Sequence, residues 1–183
     1  MYKFIFATLL ALVSLGQVQA KDGNYTVAVM ITNPLGMYTK IGGGLEMRYK
    51  SSSIVINLVN YSGIYAGKQY RFEYQHYKPT YKKNESFWYA KVCGGDATYD
   101  GSKLSLLNDK TNKIYGPVNY IGGGAGVGRR INRNHFFLVM NLGVKYVVLP
   151  PDFTDDKNER FRLFYATGPG SLLDCNLRLG FQF

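Results

Sequence analysis

The sequence predicts an all-β protein: an eight-stranded antiparallel up-and-down transmembrane β-barrel that follows a cleaved signal peptide. Three observations carry that expectation. Apolar and polar residues alternate over long segments, which is the period of a strand with two unlike faces. The chain holds 16 Tyr, 11 Phe and 21 Gly, a composition suited to curved β structure. The alternating segments number eight, and single-chain bacterial barrels have even strand counts.

The barrel does not start at the first residue. Lys3 supplies a basic start, Phe4 to Leu15 is an almost unbroken apolar run, and Val18-Gln19-Ala20 has the small residues of a signal-peptidase site. Residues 1–20 are therefore read as a signal peptide and 21–183 as one barrel domain that begins at Lys21. An uncleaved anchor helix is the competing reading, but the run is short for a membrane span. No Cys follows the cleavage site, which argues against a lipid anchor there.

The strands follow in order. Tyr25 to Ile31 puts Tyr25, Val27, Val29 and Ile31 on one face. Lys40 to Tyr49 sets Ile41, Gly43, Leu45, Met47 and Tyr49 against Lys40, Gly42, Gly44, Glu46 and Arg48. Ile54 to Asn60 carries Ile54, Ile56 and Leu58. Gln69 to Tyr77 sets Tyr70, Phe72, Tyr74 and His76 against Gln69, Arg71, Glu73 and Gln75. Phe87 to Gly95 shows Trp88, Ala90 and Val92, and Val118 to Arg130 interleaves Ile121, Ala125 and Val127 with glycines. His135 to Tyr146 has Phe136, Leu138, Met140, Leu142, Val144 and Tyr146 on one face, with Phe137 and Val139 as exceptions on the other. Leu173 to Phe183 alternates best of all, with Leu173, Cys175, Leu177, Leu179, Phe181 and Phe183 on its apolar face.

The connections differ in length. Lys50-Ser51-Ser52, Lys78 to Ser86 and Ile131 to Asn134 are the links of one end; the long links, Asp96 to Gly116 and Val147 to Gly170, fall at the other. Short periplasmic turns and longer outer loops are the usual asymmetry. Arg160 to Ala166 alternates weakly and is assigned to the last outer loop, as an extension of a hairpin above the membrane.

Composition excludes several classes. Mean hydropathy is −0.17, too low for a helical membrane protein but compatible with a wall in which only alternate residues are apolar. A net charge of +10 invites a nucleic-acid partner, yet an exported protein meets lipid and lipopolysaccharide phosphates instead. Cys93 falls on the inner face and Cys175 on the outer, so no disulfide is expected. The apolar faces point to lipid, which leaves Lys40, Glu46, Arg48, Arg71, Glu73, Lys91, Arg130, Lys145, Asp174 and Arg178 directed inward. An eight-stranded barrel encloses only side chains, so these charges must pair with one another. A narrow gated pore is the alternative use of the same lumen.

Other patterns carry little chemistry. Gly42-Gly43-Gly44 and Gly122-Gly123-Gly124 complete no phosphate-binding motif; they are read as room for the Arg and Lys chains opposite. Arg48, Lys50, Lys78, Lys82, Lys83, Arg129, Arg130 and Arg133 gather near the short turns, where lipid phosphates would lie, while Asp96, Asp100, Asp109, Asp152, Asp155, Asp156 and Glu159 fall in the long links. Asp152-Phe153-Thr154-Asp155-Asp156 lacks the spacing and closing Glu of a calcium loop. With only His76 and His135, no nucleophile, base and acid set is evident; no catalytic residue, metal or cofactor is assigned.

Three stretches resemble the small outer-membrane β-barrel proteins of Gram-negative bacteria, especially the barrels abundant in Bacteroidetes. They are Gly42 to Tyr49 after a Pro-containing first loop, the hairpin from Tyr120 to Arg130 and Phe136 to Tyr146, and Leu177-Arg178-Leu179-Gly180-Phe181-Gln182-Phe183. The resemblance implies a monomer in the outer membrane, handled by the barrel-assembly machinery through a terminal signal made of Leu177, Leu179, Phe181 and Phe183. It implies no activity. A non-enzymatic barrel that works through its outer loops leads. A secreted lipocalin-like barrel around an apolar ligand is the alternative, followed by a narrow pore and a lipid-modifying barrel enzyme.

Overall fold

A computed structural model describes residues 25–34, 40–78, 84–100, 103, 114–150, 164–166 and 168–183. The expected signal peptide therefore lies outside the described residues. The eight strands are β1 Tyr25–Thr32, β2 Lys40–Tyr49, β3 Ser52–Ser62, β4 Tyr65–Tyr77, β5 Asn84–Asp100, β6 Ile114–Arg133, β7 Phe136–Val148 and β8 Leu173–Gln182. They close in chain order, each antiparallel to the next and β8 to β1. All eight fall where alternation placed them.

Closure removes the exposed edges that make an open sheet prone to aggregate. The joining seam is short: five residue pairs, Ala28↔Gln182 to Thr32↔Arg178, join β1 and β8, and the Phe183 N–H donates to the Val27 carbonyl at 3.0 Å beyond them. Asn33, at a φ of 53°, fastens its loop-end edge. Its backbone N–H donates to the Leu177 carbonyl at 2.6 Å, and its side-chain oxygen accepts from the Leu177 N–H at 3.0 Å. Asn tolerates the left-handed region better than most residues, which suits it to this corner.

Links 50–51, 78–83 and 134–135 join strands at one end, called here the turn end. Links 33–39, 63–64, 101–113 and 149–172 join them at the loop end. Both tight turns begin in the left-handed region, Lys50 at φ 51° and Asn134 at φ 55°. That conformation matches the twist of a two-residue hairpin.

Several expected boundaries shift. The link read as Asp96 to Gly116 is partly strand, because the hairpin continues through Tyr99↔Tyr115 and Asp100↔Ile114 after a register irregularity at Ala97. Buried Ala97 and Tyr99 pack with Tyr65 and Tyr120, and this internal cluster rewards continued pairing. Ile131 to Arg133 likewise extend β6, and His135 sits in the turn. The described part of Arg160 to Ala166, residues 164–166, is a helical turn and no strand extension. Its Phe164 is buried edge-on to Tyr65 and Tyr120, so its apolar character serves the mouth of the barrel.

The glycines serve more than one neighbour: Gly124 lies against Lys145 as the sequence suggested, Gly42, Gly44 and Gly122 lie against Val59, Asn57 and Val147, and others make room for rings. Tyr89 on β5 lies flat over Gly126 of β6 and Gly143 of β7. A Cβ at either glycine would come within 2.7 and 2.4 Å of the Tyr89 side chain. The ring thereby reaches β8, where its hydroxyl donates to Asp174 at 2.6 Å. Phe87 covers Gly128 and Phe137 covers Gly180 in the same manner.

Gly128→Ala should therefore cost about 1–3 kcal/mol, the range for overfilling a packed interior. The three atoms nearest its added carbon would all belong to the Phe87 ring. Phe87→Leu in the same chain should recover part of that loss. Urea unfolding midpoints of the protein in detergent micelles read both; strictly additive effects would contradict the ring-over-glycine packing.

Candidate functional site

The interior is built by the inward register of every strand. Arg71, Glu73, Arg130, Arg178, Glu46 and Asp174 are at most 2% exposed, and Lys91 and Lys145 are at most 5% exposed. Lys40 and Arg48 stand nearer the two mouths and are half-buried. In so narrow a lumen each charge depends on the groups across from it.

Four ion pairs cross the lumen. At the turn-end mouth Arg48 grips Glu85 with two hydrogen bonds, at 2.8 and 2.6 Å. Its guanidinium also lies 4.1 Å from the Tyr77 ring centre. Deeper, Arg130 meets Glu46 at 2.6 Å and stacks on Phe137 at 3.8 Å. Arg178 holds both oxygens of Glu73, at 3.0 and 2.5 Å. Lys91 meets Asp174 at 2.5 Å. Bidentate Arg–carboxylate geometry fixes orientation as well as charge in Arg48–Glu85 and Arg178–Glu73, while Arg130 divides its donors between Glu46 and Gln182.

Two apolar clusters pack beside these pairs. Toward the turn end, Ala28, Met30, Val55, Tyr77, Phe87, Tyr89, Phe137 and Val139 form one buried cluster. Phe137 and Val139, the two exceptions in the sequence pattern, are thus interior packing. At the loop end Tyr65, Cys93, Ala97, Tyr99, Tyr120, Val147, Leu149 and Phe164 form a second. The lumen therefore holds two buried apolar clusters beside the ion pairs, and the sequence reading of a polar and charged filling is corrected to that extent. Cys93 is buried inside and Cys175 exposed outside, the two faces the sequence assigned, and both thiols are free.

The charges read as a turn-end basic cluster divide in two. Arg48 and Arg130 are committed to Glu85 and Glu46 inside the barrel. Lys50, Lys78, Arg129 and Arg133 are exposed at that end; Lys82 and Lys83 lie outside the described residues. Among the acids read as loop residues, Asp96 and Asp100 belong to β5. Asp109, Asp152, Asp155, Asp156 and Glu159 lie outside the described residues.

The outer face carries a feature the sequence reading missed. Aromatic rings meet across neighbouring strands near the turn end. Tyr25 stacks on Tyr49 at 4.6 Å between ring centres, Tyr74 and His76 flank Trp88, and Phe136, Phe181 and Phe183 adjoin one another. The signal was available: aromatic residues recur on the outward register within a few positions of the turn end, on β1, β2, β4, β5, β7 and β8. Leu177, Leu179, Phe181 and Phe183 all face outward along β8, and Phe181 also stacks on His135. His76 and His135 therefore sit against separate aromatic partners on the outer surface, and neither joins an acid.

Fold and interior together define a closed, eight-stranded antiparallel barrel with an ion-paired lumen and an apolar outer wall. No family model and no curated protein sequence matches the chain. In three dimensions it is similar to the crystal structure of the N-terminal β-barrel domain of OprF from Pseudomonas aeruginosa, with a TM-score of 0.53. The likeness covers 87% of this chain and 98% of that one at 13% sequence identity, so it concerns the fold.

Removing one partner of a buried pair strands the other. Arg178→Met should destabilise the barrel by about 3–5 kcal/mol, and pairing it with Glu73→Met should restore most of that loss. Chemical denaturation of the two variants checks it; a double variant as unstable as the single one would contradict the pairing.

Proposed function

We propose that this chain is an integral outer-membrane β-barrel protein without enzymatic activity, whose wall is bathed by lipid and whose loop end faces the cell exterior. The observation that carries the reading is the exposed apolar wall around a charged interior. Ile56 is 58% exposed, Ile121 70% and Val144 68%, and each stands on a different strand. Exposed apolar surface on this scale is rare in water-soluble monomers and ordinary in lipid. Strands of 8 to 13 residues make up six of the eight staves, long enough for tilted strands to cross a hydrocarbon core.

The aromatic groups near the turn end support the same reading, because rings gather at the water–lipid boundary of such barrels. Exposed Lys50, Arg129 and Arg133 lie at that end, where lipid phosphates would meet them. The role that follows is structural or surface-interacting, performed by links 101–113 and 149–172.

A secreted lipocalin-like barrel is the second reading, and the two interior apolar clusters are what favours it. A lipocalin holds its ligand in an apolar cavity. Here those clusters lie beside ion pairs.

Cell fractionation separates the two. The protein should enter the outer-membrane fraction and migrate differently on a denaturing gel before and after boiling. Protease added to intact cells should cut within 101–113 or 149–172. Recovery as a free periplasmic protein would favour the lipocalin, and cutting confined to 78–83 would invert the orientation.

A further inference from the structure

Charge is not shared evenly along the lumen. Toward the turn end three cations meet three acids: Arg48 with Glu85, Arg130 with Glu46, and Arg178 with Glu73. Toward the loop end Lys40, Arg71, Lys91 and Lys145 face Asp174 alone, and Lys91 takes it. Among the described residues no carboxylate lies at ion-pair distance from Lys40, Arg71 or Lys145.

Neutral dipoles serve these three cations instead. Lys40 Nζ and Arg71 Nη1 both donate to the same oxygen, Asn176 Oδ1, at 3.1 and 2.8 Å. Arg71 Nε donates to Gln69 Oε1 at 2.6 Å. Lys145 Nζ donates to the Pro169 carbonyl at 2.7 Å, which Gln69 Nε2 also reaches at 3.5 Å. The three charges are thereby joined through Asn176, Gln69 and Pro169. One amide oxygen shared by an ammonium and a guanidinium stands where an anion would be expected, because buried cations ordinarily find a counter-charge.

A hydrogen-bond donor is also in surplus here. Asn57 Nδ2, 1% exposed as a residue and paired across the sheet with Arg71, has no partner. Excess positive charge and an unused amide donor thus lie together, where an anion would serve both.

We propose that the loop-side half of the lumen binds a compact oxyanion of phosphate or sulfate size, held by Lys40, Arg71 and Lys145. Lys40, half-buried near the loop-end mouth, is the least enclosed of the three. The inference concerns the interior alone and does not depend on what bathes the outer wall.

Thermal unfolding of the full chain in zwitterionic detergent micelles tests it, with sodium phosphate titrated against sodium chloride at matched ionic strength. A bound anion gives a saturable rise in melting temperature; at ten times its Kd the folded-to-unfolded ratio increases about elevenfold. Lys145→Met and, separately, Lys40→Met should flatten that rise. Arg48→Met, in the balanced half, should leave it intact. A rise that never saturates is the general salting effect of phosphate and would overturn the proposal. So would a saturable rise that persists in both lysine variants.

Discussion

The interior of an eight-stranded barrel is barely wider than the side chains that fill it, and that single constraint orders the rest of the molecule. A charge directed into such a space has no bulk water to retreat to. It must meet an opposite charge, a dipole or a ring within the reach of its own side chain. The Arg178–Glu73 and Arg130–Glu46 pairs meet the requirement with complementary geometry, and Arg130 adds the Phe137 face. The same narrowness explains the glycines. A ring can cross the inside of the wall only where the strands beneath it present no Cβ, as Gly126 and Gly143 do for Tyr89.

Inside and outside are thus two solutions to one patterning problem. Each strand spends its even positions on one environment and its odd positions on the other. In β4, Gln69, Arg71, Glu73 and Gln75 are buried while Tyr70 and Phe72 are exposed, the reverse of what a soluble sheet shows. Apolar surface as extensive as this outer face is more stable in an apolar surrounding than in water. The inverted pattern and the ion-paired lumen therefore argue for lipid together.

Much of this was legible in the sequence because alternation is a local property. Strand existence, facing and the inward set could be read from neighbours two apart, as in Leu173, Cys175, Leu177 and Leu179. What escaped depends on residues far apart in the chain. Phe137 and Val139 break the alternation of β7, and only the cluster with Tyr77 and Phe87 shows why they face inward. The extension of β5 beyond Gly95 is set by packing against Tyr65 and Tyr120. Phe164 looks like one beat of a weak strand until the mouth of the barrel is seen to need a ring. Register across strands, which turns scattered outer aromatics into adjoining groups, has no signature within a single segment.

Tyr89 has a mechanical consequence. By passing beneath β6 and β7 to bond Asp174 on β8, it ties four successive staves into a stiff panel, like a chord drawn across an arc. Any departure of the cylinder from round is then borne by the remaining staves. Their shortest joint is the five-pair seam between β1 and β8, with the Asn33 clasp at its rim. Thermal breathing of the wall is concentrated along that line.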